Sequence, residues 1–229
     1  MTLDARLKLF VFLACLFVTS LIVGDLIGGK LYQIEVGSLP LTISVGMIPF
    51  PIVFLLTDLI NEFYGRRAAR FVTFVGFGMA WLTIAILAVA TAVPWAPFTE
   101  AADWTGVRRT AFENIFASSQ RILVASTIAY LTGQLIDITV FHFLRRRMHG
   151  RFLWLRATGS TVVSQLIDTC VIQALAWYGI LPFETILSII ATSYLVKVVI
   201  AIGLTPLLYA GHALVERGLK LEPFHAEDR

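Results

Sequence analysis

The chain has 229 residues, 58% of them hydrophobic and only 14% charged, with a mean hydropathy of +0.82. A soluble domain carries about 25% charged residues, so this composition excludes a soluble globular fold, and it excludes a disordered chain equally. The net charge of +3 reads as arginine and lysine in cytoplasmic loops, not as a nucleic-acid surface.

Six apolar runs, each near the roughly 20 residues that one helix needs to cross a bilayer, predict spans at about 7–27, 41–62, 69–93, 117–143, 154–178 and 184–212. The first follows a basic start, Arg6 and Lys8, and continues past Ser20 to Ile27 without a small-residue cleavage site. It is read as a retained helix, not a signal peptide. The second is interrupted by Gly46, Pro49 and Pro51. Proline removes backbone donors, so a kink or a broken helix is expected there. Irregular backbone at membrane depth is tolerated only against protein or a wet cavity, which places the second span toward the interior.

The connection from Pro94 to Phe116 holds Trp95 and Trp104 together with Glu100, Asp103 and Glu113. Tryptophan suits a membrane interface, and residues 107–115 read either as a short surface helix or as a plain connector. Cys15 and Cys170 sit inside apolar runs with no metal or redox spacing, and both read as small buried hydrophobes.

Six spans consume most of the chain. The expectation is therefore one all-α integral membrane domain over residues 1–229, with no separate soluble domain. Orientation follows from the 18 lysines and arginines. With the N-terminus cytoplasmic, thirteen fall inside, among them Arg66, Arg67, Arg70, Arg145, Arg146, Arg147 and Arg156. Three, Lys30, Arg108 and Arg109, fall outside, and Arg121 and Lys197 lie within spans. That asymmetry predicts six helices with N- and C-termini both cytoplasmic.

Charges inside a bilayer are costly and are seldom kept without a use. Asp25 and Arg121 lie near the outer ends of their spans and are expected to pair; Asp168 and Lys197 lie near the middle of theirs and are expected to pair as well. Such pairs either lock helices together or serve gating and charge balance. Glu62 is read partly as reaching Arg66 or Arg67 at the cytoplasmic edge. Asp58 and Asp137 differ, because each lies roughly 10 Å inward of its span's midpoint at 1.5 Å per residue and no cation in the spans remains for it. Asp58, Asn61 and Glu62 share one helix face. Gln134 and Asp137 share another, continued by Tyr130 and Ser126, and Thr161, Gln165 and Asp168 share a third. The motif Gln134-Leu135-Ile136-Asp137 recurs as Gln165-Leu166-Ile167-Asp168. It joins neighbouring spans, so it does not establish a repeat of three helices.

Three helices thus bring carboxylates, amides and hydroxyls to the inner half of the bundle. Asp58, Asn61, Gln134, Asp137, Gln165 and Asp168 are the candidate binding residues, with Asp25, Glu62, Arg121 and Lys197 assigned to gating or charge balance. A carboxylate accepts paired N–H bonds from a guanine-like edge, and an amide reads a carbonyl or ring nitrogen. Phe50, Phe54, Tyr130 and Trp177 offer stacking surfaces, though aromatic residues more often serve packing. Enzyme motifs are lacking, and His142, His149, His212 and His225 form no ligand set. No metal or cofactor is expected.

The run Phe50-Pro51-Ile52-Val53-Phe54-Leu55-Leu56-Thr57-Asp58-Leu59-Ile60-Asn61-Glu62-Phe63-Tyr64-Gly65 resembles the signature of the queuosine precursor transporters. So do Ala117 to Ile122, Gln134 to Asp137, and Gly159 to Thr169, in the same order over about Gly24 to Gly203. The resemblance implies a six-helix carrier of a bacterial inner membrane. Its cargo would be 7-cyano-7-deazaguanine, 7-aminomethyl-7-deazaguanine or both. The partners are then that base and the lipid bilayer, without nucleic acid; the oligomeric state is left open, a homodimer being one option. The closest rival is a substrate-binding subunit of an energy-coupling transporter with separate ATPase partners, which would favour a small-residue docking stripe on span one. Ala14, Val18 and Ile22 make a poor one. An intramembrane enzyme lacks a nucleophile–base pair, and a mere scaffold would not keep the interior carboxylates.

Overall fold

The computed structural model describes residues 4–28, 30–36, 39–101, 103–116, 120–148, 151–179, 182–218 and 222–223. The helices are α1 (Ala5–Ile27), α2 (Phe50–Ala92), α3 (Arg109–Phe116), α4 (Gln120–Arg147), α5 (Leu153–Trp177), α6 (Phe183–Gly203) and α7 (Thr205–Ala213). Between α1 and α2 lies a short antiparallel hairpin, β1 (Leu31–Val36) and β2 (Leu39–Ser44), with Leu31 opposite Ser44 and Val36 opposite Leu39. Apart from that hairpin the described architecture is helical. Among the described residues, four stretches are long and apolar enough to cross a membrane, Ala5–Ile27, Val45–Ala92, Val124–Arg147 and Phe183–Gly218. The molecule is a multi-pass membrane protein.

Helix ends follow local chemistry. The Asp4 side chain accepts from the Leu7 N–H at 2.7 Å and caps α1. α2 opens after Pro49 with Pro51 in its first turn, where a missing N–H costs nothing. Pro206 likewise begins α7. Its ring cannot continue the preceding helix, so α6 stops at Gly203.

α2 is two arms. Gly65 has φ 75° and ψ −179°, a conformation open essentially to glycine alone. The neighbours along α1 give the sense of each arm. Near the start of α1, the Arg6 guanidinium donates to the Phe63 carbonyl at 2.8 Å and the Tyr64 hydroxyl donates to the Arg6 carbonyl. Toward the far end of α1, Gly24 approaches Gly46 and Pro49, which precede the first arm. Gly76, well into the second arm, lies against Phe17 and Leu21. The chain therefore turns back at Gly65.

Several sequence expectations are corrected by these boundaries. Residues 41–49 are not the first half of a kinked span. They are strand, a short 3-10 helix at Val45–Met47 and a turn, and α2 starts only at Phe50, because the prolines end irregular backbone instead of bending regular backbone. Asp58 accordingly sits near the middle of its short arm, not far inward of the midpoint. The stretch read as a surface helix or a connector forms α3. Cys15 and Cys170 are exposed on the bundle's outer faces, not buried. An apolar run in a membrane helix is met by lipid as readily as by protein.

The outward faces are apolar throughout: Phe12 is 63% exposed, Val89 65% and Val199 69%. So much exposed apolar surface marks a lipid-facing bundle. The interior holds the polar groups instead, around a core of Phe17, Ile60, Phe63, Ile138 and Phe141. α4 and α5 pack most intimately, since a Cβ on Gly133 would lie 3.0 Å from the Asp168 Cβ. Small residues permit this backbone approach.

Candidate functional site

The first arm of α2, the middle of α4 and the first half of α5 enclose a polar interior. Asp58, Asn61, Gln134, Asp137, Ser160, Thr161, Ser164 and Gln165 are all buried there. Helical spacing of three and four residues puts each set on one face, and those faces converge. Five of the six expected binding residues are brought together in this way. The sixth, Asp168, lies beyond them toward the end remote from the arginines.

Each candidate has a particular setting. One oxygen of Asp137 accepts from the Ser164 hydroxyl at 3.1 Å, with the hydroxyls of Ser160 and Thr161 grouped around the same carboxylate. Asp58 lies within the electrostatic reach of Asp137 and Glu62. Thr57 donates to the Val53 carbonyl at 2.9 Å and also meets the Gln134 Oε1 at 3.4 Å. Asn61 Oδ1 lies 3.1 Å from the His142 Nε2.

Four of these residues present a buried polar atom with no hydrogen-bond partner among the described residues: Asp58 Oδ1, Asn61 Nδ2, Asp137 Oδ2 and Gln165 Oε1. An unpaired buried polar group costs about 1–3 kcal/mol, so four in one place leave hydrogen-bonding capacity in this interior that a polar molecule could meet. Three are acceptors and one is a donor. A narrow cleft reaches this region between α2, α5 and the junction of α6 with α7, lined by Phe54, Asp58, Thr161 and Leu208 among others. Phe54 also pairs with Phe50, ring centroids 4.3 Å apart, so aromatic surface and carboxylate share the opening.

Toward the arginine-rich end the polar interior is followed by a buried ion-pair cluster. Arg156 donates to both Glu62 oxygens, at 3.0 and 3.4 Å. Arg145 lies 3.6 Å from the same carboxylate, and His212 Nε2 stands 4.0 Å away. The expected partners of Glu62, Arg66 or Arg67, are thus replaced by Arg156 and Arg145. Counted in sequence as a loop charge, Arg156 is fully buried and its field also reaches Asp58. The reading that no cation is left near Asp58 is corrected accordingly. Its signal was present as spacing: Arg156, Ser160, Ser164 and Asp168 recur every four residues on one face of α5. His142 was missed as well, because a lone histidine near a helix end carries no pattern of its own.

At the opposite end of the site Lys197 donates to Asp168 at 2.6 Å, as its mid-span position led one to expect. The ammonium also stands 5.4 Å from the Phe50 ring centroid. Asp25 accepts from Ser126 at 3.2 Å, whereas the side chain of its expected partner Arg121 lies outside the described residues. The Tyr130 hydroxyl points to the Thr73 carbonyl at 3.4 Å, not into the polar interior. Among the described residues, no group of three or more His, Cys, Asp or Glu is arranged to hold a metal ion.

Residues 44–211 match the family described as "Putative vitamin uptake transporter". The "Probable queuosine precursor transporter" of Bacillus subtilis (strain 168) is 33% identical over 177 residues, 76% of this chain and 74% of that protein. The "Queuosine precursor transporter" of Escherichia coli (strain K12) is 30% identical over 148 residues, 65% of this chain and 61% of that one. The "Probable queuosine precursor transporter" of Haemophilus influenzae is 31% identical over 133 residues, 58% and 51% of the two chains. No solved structure matches the chain.

Proposed function

The chain belongs to the queuosine precursor transporter family, and on that premise we propose that it imports 7-cyano-7-deazaguanine, 7-aminomethyl-7-deazaguanine or both across a bacterial inner membrane. It is a transporter, not an enzyme. One observation carries the substrate reading: the three acceptors and one donor left without partners on Asp58, Asp137, Gln165 and Asn61. The edge of a deazaguanine offers the complement, ring and exocyclic N–H donors beside one carbonyl acceptor. Asp58 and Asp137 take the N–H groups, the Asn61 amide meets the carbonyl, and Gln165 takes a remaining N–H. Gln134, held by Thr57, lines the same wall. Phe54 at the cleft supplies a ring face for the flat base.

In this reading the whole chain is one transport domain of six crossings, the two arms of α2 counting separately. The end bearing Arg6, Arg66, Arg145 and Arg156 faces the cytoplasm together with both termini. The Glu62–Arg156–Arg145 cluster closes the cytoplasmic side, and Lys197–Asp168, with Asp25, balances charge on the other.

Uptake of labelled deazaguanine bases into proteoliposomes holding this chain alone tests the proposal, with and without ATP and with and without a pH gradient. Saturable uptake without ATP and without partner subunits is expected, inhibited by the unlabelled base and not by guanosine. Uptake that appears only with added ATPase subunits would move the chain to the energy-coupling class. Saturable uptake of some other compound with indifference to both bases would refute the substrate.

A further inference from the structure

Arginines at the basic end fall into two groups. Arg145 and Arg156 meet Glu62, as described. Arg66, Arg70 and Arg146 do not: among the described residues no carboxylate lies within salt-bridge distance of any of the three. They nevertheless converge from two helices. Arg66 and Arg70 are one turn apart on the second arm of α2, which the reversal at Gly65 sets beside α4. Arg66 Nη2 donates to Thr139 Oγ1 of α4 at 3.3 Å, and Arg146 lies two turns beyond Thr139 on that same helix. Arg66 feels the repulsion of both Arg70 and Arg146. The Nε atoms of Arg66 and Arg70 are buried with no hydrogen-bond partner among the described residues, while Arg146 is exposed.

The repulsion of Arg66 by Arg70 and Arg146, together with the two orphaned Nε donors, makes this a place where a bound anion is favourable. Their position selects the anion. The cluster sits where the apolar outer face of the bundle ends, with Phe71 and Phe74 exposed at 61% and 53% just beyond it on α2 and Phe143 exposed at 56% on α4. Phosphate oxygens take guanidinium forks in bidentate fashion, and acyl chains cover exposed aromatic rings. We propose that Arg66, Arg70 and Arg146 form a headgroup site for an anionic phospholipid, the phosphodiester bridging α2 and α4 and the chains lying along Phe71, Phe74 and Phe143. This site is separate from the polar interior and does not depend on what is transported.

The full-length protein in a neutral detergent tests it, titrated with phosphatidylglycerol, with phosphatidylcholine of the same chains, and with inorganic phosphate. Native mass spectrometry counts retained lipid, and thermal unfolding reports stabilisation. Phosphatidylglycerol is expected to bind and to raise Tm, with little effect from the other two. R66Q/R70Q should lower phosphatidylglycerol affinity by about fivefold per arginine, roughly 25-fold together, while R151Q/R217Q, the same charge change elsewhere, leaves it unaltered. If the double variant does not fold, R146Q on the exposed side carries the test with an expected fivefold loss. Equal binding of the two lipids, unchanged affinity in R66Q/R70Q or R146Q, or equal loss in R151Q/R217Q overturns the site. Stabilisation by inorganic phosphate equal to that by phosphatidylglycerol overturns the lipid assignment.

Discussion

Replacing Glu62 with glutamine keeps the side-chain volume and removes one charge from the most enclosed ion cluster in the bundle. The Glu62 side chain is 5% exposed, against 2% for Arg156 and 14% for Arg145, at 3.0 and 3.6 Å. Breaking a buried ion pair from one side costs about 3–5 kcal/mol, because the surviving charge stays in low dielectric. The two sides are unequal here. E62Q leaves Arg156 facing a neutral amide and the repulsion of Arg145, so its cost falls at the upper end, about 5 kcal/mol. Arg156→Met leaves Glu62 still beside Arg145, so its cost falls at the lower end, about 3 kcal/mol. The double variant E62Q/R156M removes both the acid and the buried guanidinium, and its loss should be less than that of E62Q alone. The assay is unfolding of purified protein in detergent mixtures of increasing sodium dodecyl sulfate, with the folded fraction read by size-exclusion chromatography. R156M more damaging than E62Q, or a double variant whose loss equals the sum of the singles, would show that this cluster is not held by shared charge.

Asp137→Asn should raise the apparent KM for the deazaguanine base about 10- to 150-fold, the equivalent of one charged hydrogen bond of about 1.5–3 kcal/mol, and Asp137→Glu should be milder; normal uptake by the asparagine variant removes Asp137 from the site. Lys197→Met combined with Asp168→Asn abolishes a bridge without leaving a lone charge, so it should fold; transport is expected to fail if Asp168 also works in the cycle, and normal uptake across pH would assign the pair to structure alone. Gly65→Ala forces a side chain into a conformation that costs about 1–3 kcal/mol, and folded yield in membranes should drop, whereas Gly78→Ala, where an added Cβ meets nothing within 4 Å, serves as the tolerated control. Neutralising Asp25 or Arg121 singly should lower folded yield and exchanging the two charges should recover part of it; harmless single variants would refute their pairing.

The site was legible in sequence to the extent that it obeys helical spacing. Asp58, Asn61, Gln134, Asp137 and Gln165 stand out because polar groups in a lipid solvent are expensive, and their positions at intervals of three and four aim each set along one face. Lys197 and Asp168 were legible for the same reason, both being charged and mid-span. The cysteines were misread because burial by lipid and burial by protein look alike in composition. Arg156 escaped because a charge at the mouth of a helix reads as a loop charge whether or not it folds inward. Which acid it meets depends on a residue 94 positions away.

The apolar runs and the uneven arginines determined by themselves that this is a multi-pass helical membrane protein, since hydropathy and charge act on each segment locally and need no partner to be felt. Whether the backbone between Leu39 and Met47 would bend within a helix or leave it was not local, because proline permits either and the strand pairing with Leu31–Val36 decides. The antiparallel turn at Gly65 places Glu62 against Arg156 and Arg145, and leaves Arg66 and Arg70 beside α4 without an acid among the described residues. Only the tertiary structure could separate those arginines into neutralised and unneutralised groups, because charge pairing is set by distances of a few ångströms between helices that the sequence does not relate.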